Sequence, residues 1–162
     1  MTKLNVKLKV AREKDLGDIA LFLSEPEIDN SFIAPLSQRD ISIKDRVMKK
    51  YANGVWLLAK YKNDIAGCLA LIENPHDVEI STYAVSVQYR GHGIGTQLLD
   101  YAYEKTKELY KTHNYITLDS WGGNKAIAHL MNKLDYKLIR DYDDPIKRPE
   151  GYTTVVYLKS LK

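Results

Sequence analysis

Residues 4–10 alternate, with Leu4, Val6, Leu8 and Val10 on one side, which is the period-two pattern of a strand. From residue 11 the spacing becomes helical. Leu16, Ile19, Ala20 and Leu23 share a face, and Pro26 is expected to end that helix. The stretch EPEIDNSFIAPLSQRD, with two prolines and several turn formers, reads as loop. A short helix follows over residues 43–51, stopped at Asn53-Gly54. In VWLLAKYKNDIAGCLALI two β-rich runs flank Asn63-Asp64, residues that tolerate the left-handed conformation of a tight hairpin. Residues 78–87 continue as a strand. Residues 95–110 then place Leu98, Leu99, Ala102, Thr106 and Leu109 on one helical face. A strand over 115–120 leads to a helix capped by Asn124 and carrying Ile127, Leu130, Met131 and Leu134. Two strands, 136–141 and 152–158, close the chain around DYDDPIKRPEG.

The predicted order is β-α-α-β-β-β-α-β-α-β-β, an α+β (mixed α/β) domain with one β-α-β crossover at its middle. With 162 residues, 44% hydrophobic and 28% charged, the sequence fits one domain over 1–162. No apolar run approaches the roughly 20 residues a bilayer requires, so no membrane partner is expected. The alternating N-terminus is unlike a signal peptide. Cys68 is the only cysteine, so no disulfide can form within the chain, and a cytoplasmic location is expected. Within its apolar strand Cys68 reads as a buried thiol.

Net charge is +3, from 24 Lys and Arg against 21 Asp and Glu, and the two signs are interspersed. There is no basic stripe of the kind nucleic acid selects, and a small polyanion suits the balance better. The four histidines have no metal-ligand spacing, so no metal is expected. The twelve tyrosines are scattered, as amphipathic packing residues would be.

The chemistry concentrates in VSVQYRGHGIGTQLL, where a strand gives way to a helix across three glycines. A dinucleotide fingerprint would need a glycine where Thr96 stands, and no phosphate-binding G-x-x-x-x-G-K-[ST] occurs. A plain turn needs fewer glycines. A phosphate cradle explains all of them: bare N–H groups at a helix N-terminus face an anion, and Arg90 adds a charged contact.

Arg90-Gly91-His92-Gly93-Ile94-Gly95 resembles the [RQ]-x-x-G-x-[GA] signature of the GNAT superfamily of N-acetyltransferases, and the element order resembles that fold over the whole chain. The resemblance implies a mostly antiparallel twisted sheet of about seven strands with flanking helices. It also implies acetyl-CoA as cosubstrate, with its pyrophosphate on Arg90, Gly91, His92, Gly93, Ile94, Gly95 and Thr96. Its pantetheine arm would lie along Val85, Ser86 and Val87, and an N–H near Val87 would polarise the thioester carbonyl.

A second segment, YITLDSWGGNKAIAHLMNKLDYKLI, resembles the family's closing pattern. In it Asn124 matches the asparagine that contacts the cofactor, although an N-cap role alone also accounts for it. Lys133 fits the pattern, and Tyr136 replaces the usual Phe. Asp135 stands in place of a glycine. Met131 stands at the cofactor-side position of the general-acid tyrosine, and a thioether cannot protonate a thiolate.

Glu79 and Asp119 match carboxylate positions used as general base. Glu79 is the preferred candidate, and Asp119 is either a second base or an orienting anion. The family's acceptor-facing segments correspond to residues 30–40 and 141–150. In the latter, Asp141, Asp143, Asp144 and Glu150 either attract a cationic amine or are balanced by Lys147 and Arg148. Trp56 and Trp121 read as packing residues, with Trp121 also placed to line an acceptor pocket. The expected activity is acetyl transfer from acetyl-CoA directly to a primary amine, of a small molecule or a protein N-terminus. The alternatives are a non-catalytic acyl-CoA-binding sensor or partner module, and transfer of a longer acyl group. Edge strands near the C-terminus leave a homodimer open.

Overall fold

In VWLLAKYKNDIAGCLALI apolar residues fill both parities of the strand repeat, which requires both faces of the sheet to be covered. The computed structural model, which describes residues 2–162, meets that requirement. In chain order it contains β1 (Lys7–Val10), α1 (Leu16–Ser24), α2 (Pro26–Asp29), α3 (Ile43–Asn53), β2 (Gly54–Tyr61), β3 (Asp64–Glu73) and β4 (Asp77–Val85). It continues with α4 (Ile94–Leu109), β5 (Tyr115–Trp121), α5 (Lys125–Lys133), β6 (Lys137–Asp143) and β7 (Thr153–Ser160). The strands form one seven-stranded sheet in the order β1-β2-β3-β4-β5-β7-β6. This is the mixed α+β architecture expected from the sequence.

Leu57, Ala59, Leu69 and Leu71 face one apolar layer with Leu98, Leu99 and Ala102 of α4 and Met131 of α5. Trp56, Leu58, Cys68 and Ala70 face the other, with Ile19 and Leu23 of α1 and Val47 of α3. The Trp56 indole N–H donates to the Val47 carbonyl at 3.0 Å, so the largest core side chain is buried without an unpaired polar atom. Each such fully buried aliphatic side chain contributes about 1.5–3 kcal/mol.

Every neighbouring pair of strands is antiparallel except β4 and β5, which are joined through α4 and run parallel. Their pairing spans only Asp77↔Tyr115 to Ile80↔Leu118. Beyond Ile80 the two strands part. A bulge lies at that point: Thr82 and Tyr83 of β4 together oppose Leu69 of β3. Thr82 carries φ +53°, a left-handed conformation that strains a β-branched residue. The extra residue reverses the alternation. Val78 and Ile80 face α4 before the bulge, and Tyr83 and Val85 do so after it.

Several expectations are corrected. Val10 does not share the buried face of Leu4, Val6 and Leu8 but is exposed at the end of β1. The first helix ends before Pro26 as expected, but Pro26 then opens a one-turn helix inside the stretch read as loop, because proline is well suited to a first helical position. The hairpin turn is Lys62-Asn63, both at positive φ, with Tyr61 paired to Asp64. β4 ends at Val85, and Val87 lies in a 3-10 turn. Leu109, at the frayed end of α4, is exposed. Asp135 adopts φ +66°, the conformation for which a glycine would ordinarily be used, and closes α5 with Tyr136 N–H donating to the Met131 carbonyl at 2.9 Å.

Candidate active site

The parting of β4 and β5 opens a cavity of about 740 Å³. Its floor is residues 79–85 of β4 and 118–121 of β5, and the glycine turn closes one end. The other end is covered by residues 31–39 between α2 and α3, by Arg46 and Lys50 of α3, and by Lys147 and Arg148 of the β6–β7 loop.

At the glycine turn the chain passes twice through positive φ, at Gly91 (82°) and Gly93 (79°), before entering α4. Among the described residues, no hydrogen bond within the chain engages the N–H groups of residues 91–96. Six consecutive unpaired donors at a helix N-terminus line a concavity of the kind that suits an anion. Gly95 serves a different purpose. Its φ is unexceptional, but a Cβ there would collide with the Tyr83 hydroxyl. The helix can approach β4 only without a side chain at this position.

Beside the turn, Val85 presents a free backbone edge. Ser86 N–H donates to the Ala66 carbonyl at 2.8 Å, toward β3. The pleat therefore turns the Val85 amide and carbonyl toward the cleft. Arg90 Nε reaches that carbonyl at 3.4 Å, so the arginine is fastened across the strand end.

Glu79 and Asp119 lie on the face of the sheet that carries α3. Glu79 pairs in register with Thr117, which puts Asp119 one side-chain repeat further along the same face. Partial burial raises the Glu79 pKa, and the Asp119 charge raises it further against the opposing pull of Lys147 and Lys50. Asp119 is held by ion pairs with Lys147 and with Arg148, whose Nη2 is 3.8 Å away. A half-buried carboxylate with a raised pKa is suited to accepting a proton, whereas one locked between two cations is suited to holding them in place.

Of the other residues singled out in the sequence, Val85, Arg90, Gly91, Gly93, Ile94, Gly95, Thr96 and Asn124 line the cavity, as does Trp121. Ser86, Val87, His92 and Met131 do not. Ser86 is buried beneath the strand end, and Val87 is 42% exposed on the far side of the 3-10 turn. The His92 ring is turned toward the N-terminal segment, with Nδ1 2.7 Å from the Thr2 carbonyl. Met131 is wholly buried against the sheet. Asn124 caps α5, its Oδ1 accepting from Ile127 N–H at 3.2 Å, and its amide nitrogen donates to Ser120 Oγ at 3.0 Å. Cys68 is fully buried, and burial pushes its thiol pKa up, which leaves it inert.

Sequence reasoning missed Tyr83, Arg46 and the facing of Lys50 into the cavity. Helical periodicity marks apolar faces, and nothing in it distinguishes a cation over a cleft from one in water. Of residues 30–40, Ser31, Phe32, Ile33, Leu36 and Arg39 line the cavity. They are stapled by Asp29, whose carboxylate accepts from the backbone N–H (3.0 Å) and the hydroxyl of Ser37.

A family model described as "Acetyltransferase (GNAT) family" matches residues 23–136. No match to the sequence was found among curated proteins. Among solved structures, an N-acetyltransferase from Staphylococcus aureus Mu50 superposes with a TM-score of 0.76 at 18% identity, covering 98% of this chain and 100% of that one. A GNAT family acetyltransferase from Elizabethkingia anophelis with acetyl-CoA bound gives 0.68 at 21% identity, over 98% and 99%. The ribosomal-protein-S18-alanine N-acetyltransferase from Escherichia coli gives 0.76 at 12% identity, over 98% and 95%. At such identities these likenesses concern the fold.

Proposed function

Because this chain belongs to the GNAT acetyltransferase family, we propose that it transfers an acetyl group from acetyl-CoA directly to a primary amine in the cleft between β4 and β5. The observation that carries this reading is the pairing of the unengaged N–H row of residues 91–96 with the free strand edge at Val85. Together they fit a diphosphate followed by an amide-bearing arm.

The chain's residues divide the work along the cleft. The turn amides and Arg90 hold the diphosphate. Val85 pairs with the pantetheine amides as an added strand would, and its N–H takes the donor role that the sequence placed near Val87. Glu79 accepts the proton released as the acceptor nitrogen bonds to the acetyl carbon and the carbon–sulfur bond breaks. No tyrosine stands at Met131 to protonate the departing thiolate. A thiol with an ordinary pKa of about 8.5 leaves tolerably without one near neutral pH.

Incubation of the protein with acetyl-CoA and an amine panel, with free thiol as the readout, tests the reading. Thiol release that requires an amine supports it. The occupation of the tyrosine position by the buried Met131 favours one rival, a CoA-binding module without turnover. That rival predicts calorimetric binding of CoA and no thiol release with any amine. Comparing acetyl-CoA with longer acyl donors fixes the acyl group.

A further inference from the structure

The acceptor end of the cleft has an excess of positive charge that its own carboxylates do not neutralise. Arg39, Arg46, Lys50, Lys147 and Arg148 line it, against only Glu79 and Asp119. Asp119 is committed to Lys147 and Arg148. Among the described residues, Arg39, Arg46 and Lys50 make no salt bridge. Arg39 spends Nε and Nη2 on the Ala34 carbonyl (3.1 and 2.9 Å), which aims the rest of its guanidinium without discharging it. Lys50 Nζ donates only to Ser81 Oγ, at 2.7 Å.

Arg46 is the most telling of the three. Its Nε is buried and has no hydrogen-bond partner among the described residues. The buried Nε leaves the guanidinium partly desolvated with no carboxylate among the described residues paired to it, which is costly, and its remaining nitrogens face the cavity, where an entering anion would offset the charge. The three cations also repel one another. Burial and then the neighbouring cations lower the pKa of Lys50, and Arg46 and Arg148 do the same to Arg39 after its own burial. Such a cluster stores unfavourable energy until an anion arrives.

We infer that the acceptor is a small amphoteric amine whose own oxyanion, a carboxylate or a phosphate, is bound by Arg46, Lys50 and Arg39 while its amine faces Glu79. This rests on the transfer reading above and narrows its substrate class. It departs from one of the two possibilities left open by the sequence, in which acidic residues of the segment 141–150 attract a cationic amine. Asp141 and Asp143 do not line the cavity, and Asp144 is turned to Thr154 Oγ1 at 3.0 Å and to Lys147 N–H at 3.2 Å. The cations of that segment face inward instead.

The test uses matched amines that differ only in the oxyanion: L-serine against L-serinamide, O-phosphoethanolamine against ethanolamine, with spermidine as the polycation. With acetyl-CoA saturating, the anionic member of at least one pair is expected to show kcat/KM about tenfold or more above its neutral partner. The pair that shows the difference identifies carboxylate or phosphate as the anion. Equal or better use of serinamide, ethanolamine or spermidine overturns the inference.

Arg46→Met gives an independent check. It should raise KM for the anionic acceptor about tenfold, leave the acetyl-CoA dissociation constant unchanged, and hold or raise Tm, because an orphaned buried donor is removed. A lowered Tm with unchanged KM would make the arginine structural and sink the idea. Lys50→Met repeats the test should Arg46→Met fold poorly. Binding of L-serine and O-phosphoethanolamine to the CoA complex, read by calorimetry, separates the two readings. Anion binding lost in Arg46→Met without any acetyl transfer would leave the anion site standing and remove the transfer reading. Absence of both anions from the complex would overturn the site itself.

Discussion

The Tyr83 hydroxyl occupies the space in which a Cβ on Gly95 would sit. Tyr83 reaches that position because the bulge opposite Leu69 turns it toward α4. The spacing of strand and helix at the glycine-turn end of the cleft is therefore set by one hydroxyl and one missing side chain. Gly95→Ala should push Tyr83 aside, cost about 1–3 kcal/mol as overpacking, and weaken acetyl-CoA binding. Adding Tyr83→Phe removes the colliding oxygen and should recover most of both losses. Thermal melts and calorimetry on the single and double variants check it, and no recovery in the double variant would refute the contact.

Glu79→Gln should reduce kcat about 10²- to 10⁴-fold with the acetyl-CoA dissociation constant unchanged. Burial, reinforced by Asp119, raises the Glu79 pKa. As a base Glu79 must be ionised, so activity should rise with pH through a limb above the ordinary glutamate range. Asp119→Asn removes the repelling charge and frees Lys147, and both changes favour the carboxylate. The limb should move to lower pH. A shift upward in a kcat/KM profile would contradict the assignment.

Asp29 is buried, which by itself would raise its pKa, yet the hydrogen bonds from Ser37, with the Leu36 backbone and the Arg39 charge, together outweigh burial and the net shift is downward. A depressed folded-state pKa adds stability that is complete above the unfolded value near 3.9. That stability is lost as pH falls through the folded one. Asp29→Asn should accordingly destabilise the protein at pH 7 by about 1–3 kcal/mol. The difference from wild type should shrink in urea melts as the pH is brought down through the acid range. Because Asp29 staples residues 30–40 over the cleft, KM for the acceptor should rise as well.

Asn124 has two separable uses, the cap on α5 and an amide nitrogen at the cavity wall. Asn124→Ala should lower stability by about 0.5–2 kcal/mol, whereas Asn124→Ser retains a capping oxygen and should cost only a few tenths. If the amide also contacts the cosubstrate, both variants weaken acetyl-CoA binding. Unchanged affinity in Asn124→Ser would leave capping as its whole role.

The local elements were largely legible in the sequence. Helix faces such as Leu98-Leu99-Ala102-Thr106, the Asn124 cap and the glycine turn arise from contacts a few residues apart, which spacing records. The errors fell at boundaries settled by pairing. Whether Lys62-Asn63 or Asn63-Asp64 makes the hairpin depends on which residues of β2 and β3 face each other. Val87 read as strand because nothing in VSVQY shows that β3 no longer accompanies it. Met131 stands where a catalytic tyrosine was expected, and its burial fits the apolar helix face it shares with Ile127, Leu130 and Leu134 in the sequence.

By itself the sequence determined the order of the strands and longer helices, the apolar faces of α4 and α5 and the row of bare amides, since each follows from backbone preference and hydrophobic period within a short window. The tertiary structure alone decided where β4 and β5 part, that Tyr83 sets the place of Gly95, and that cations from α3, from the segment after α2 and from the β6–β7 loop converge on one cleft. Charges so far apart along the chain, as Arg39 and Arg148 are, act on each other only after the sheet has brought their elements together, because electrostatic energy depends on distance in space and on the exclusion of water.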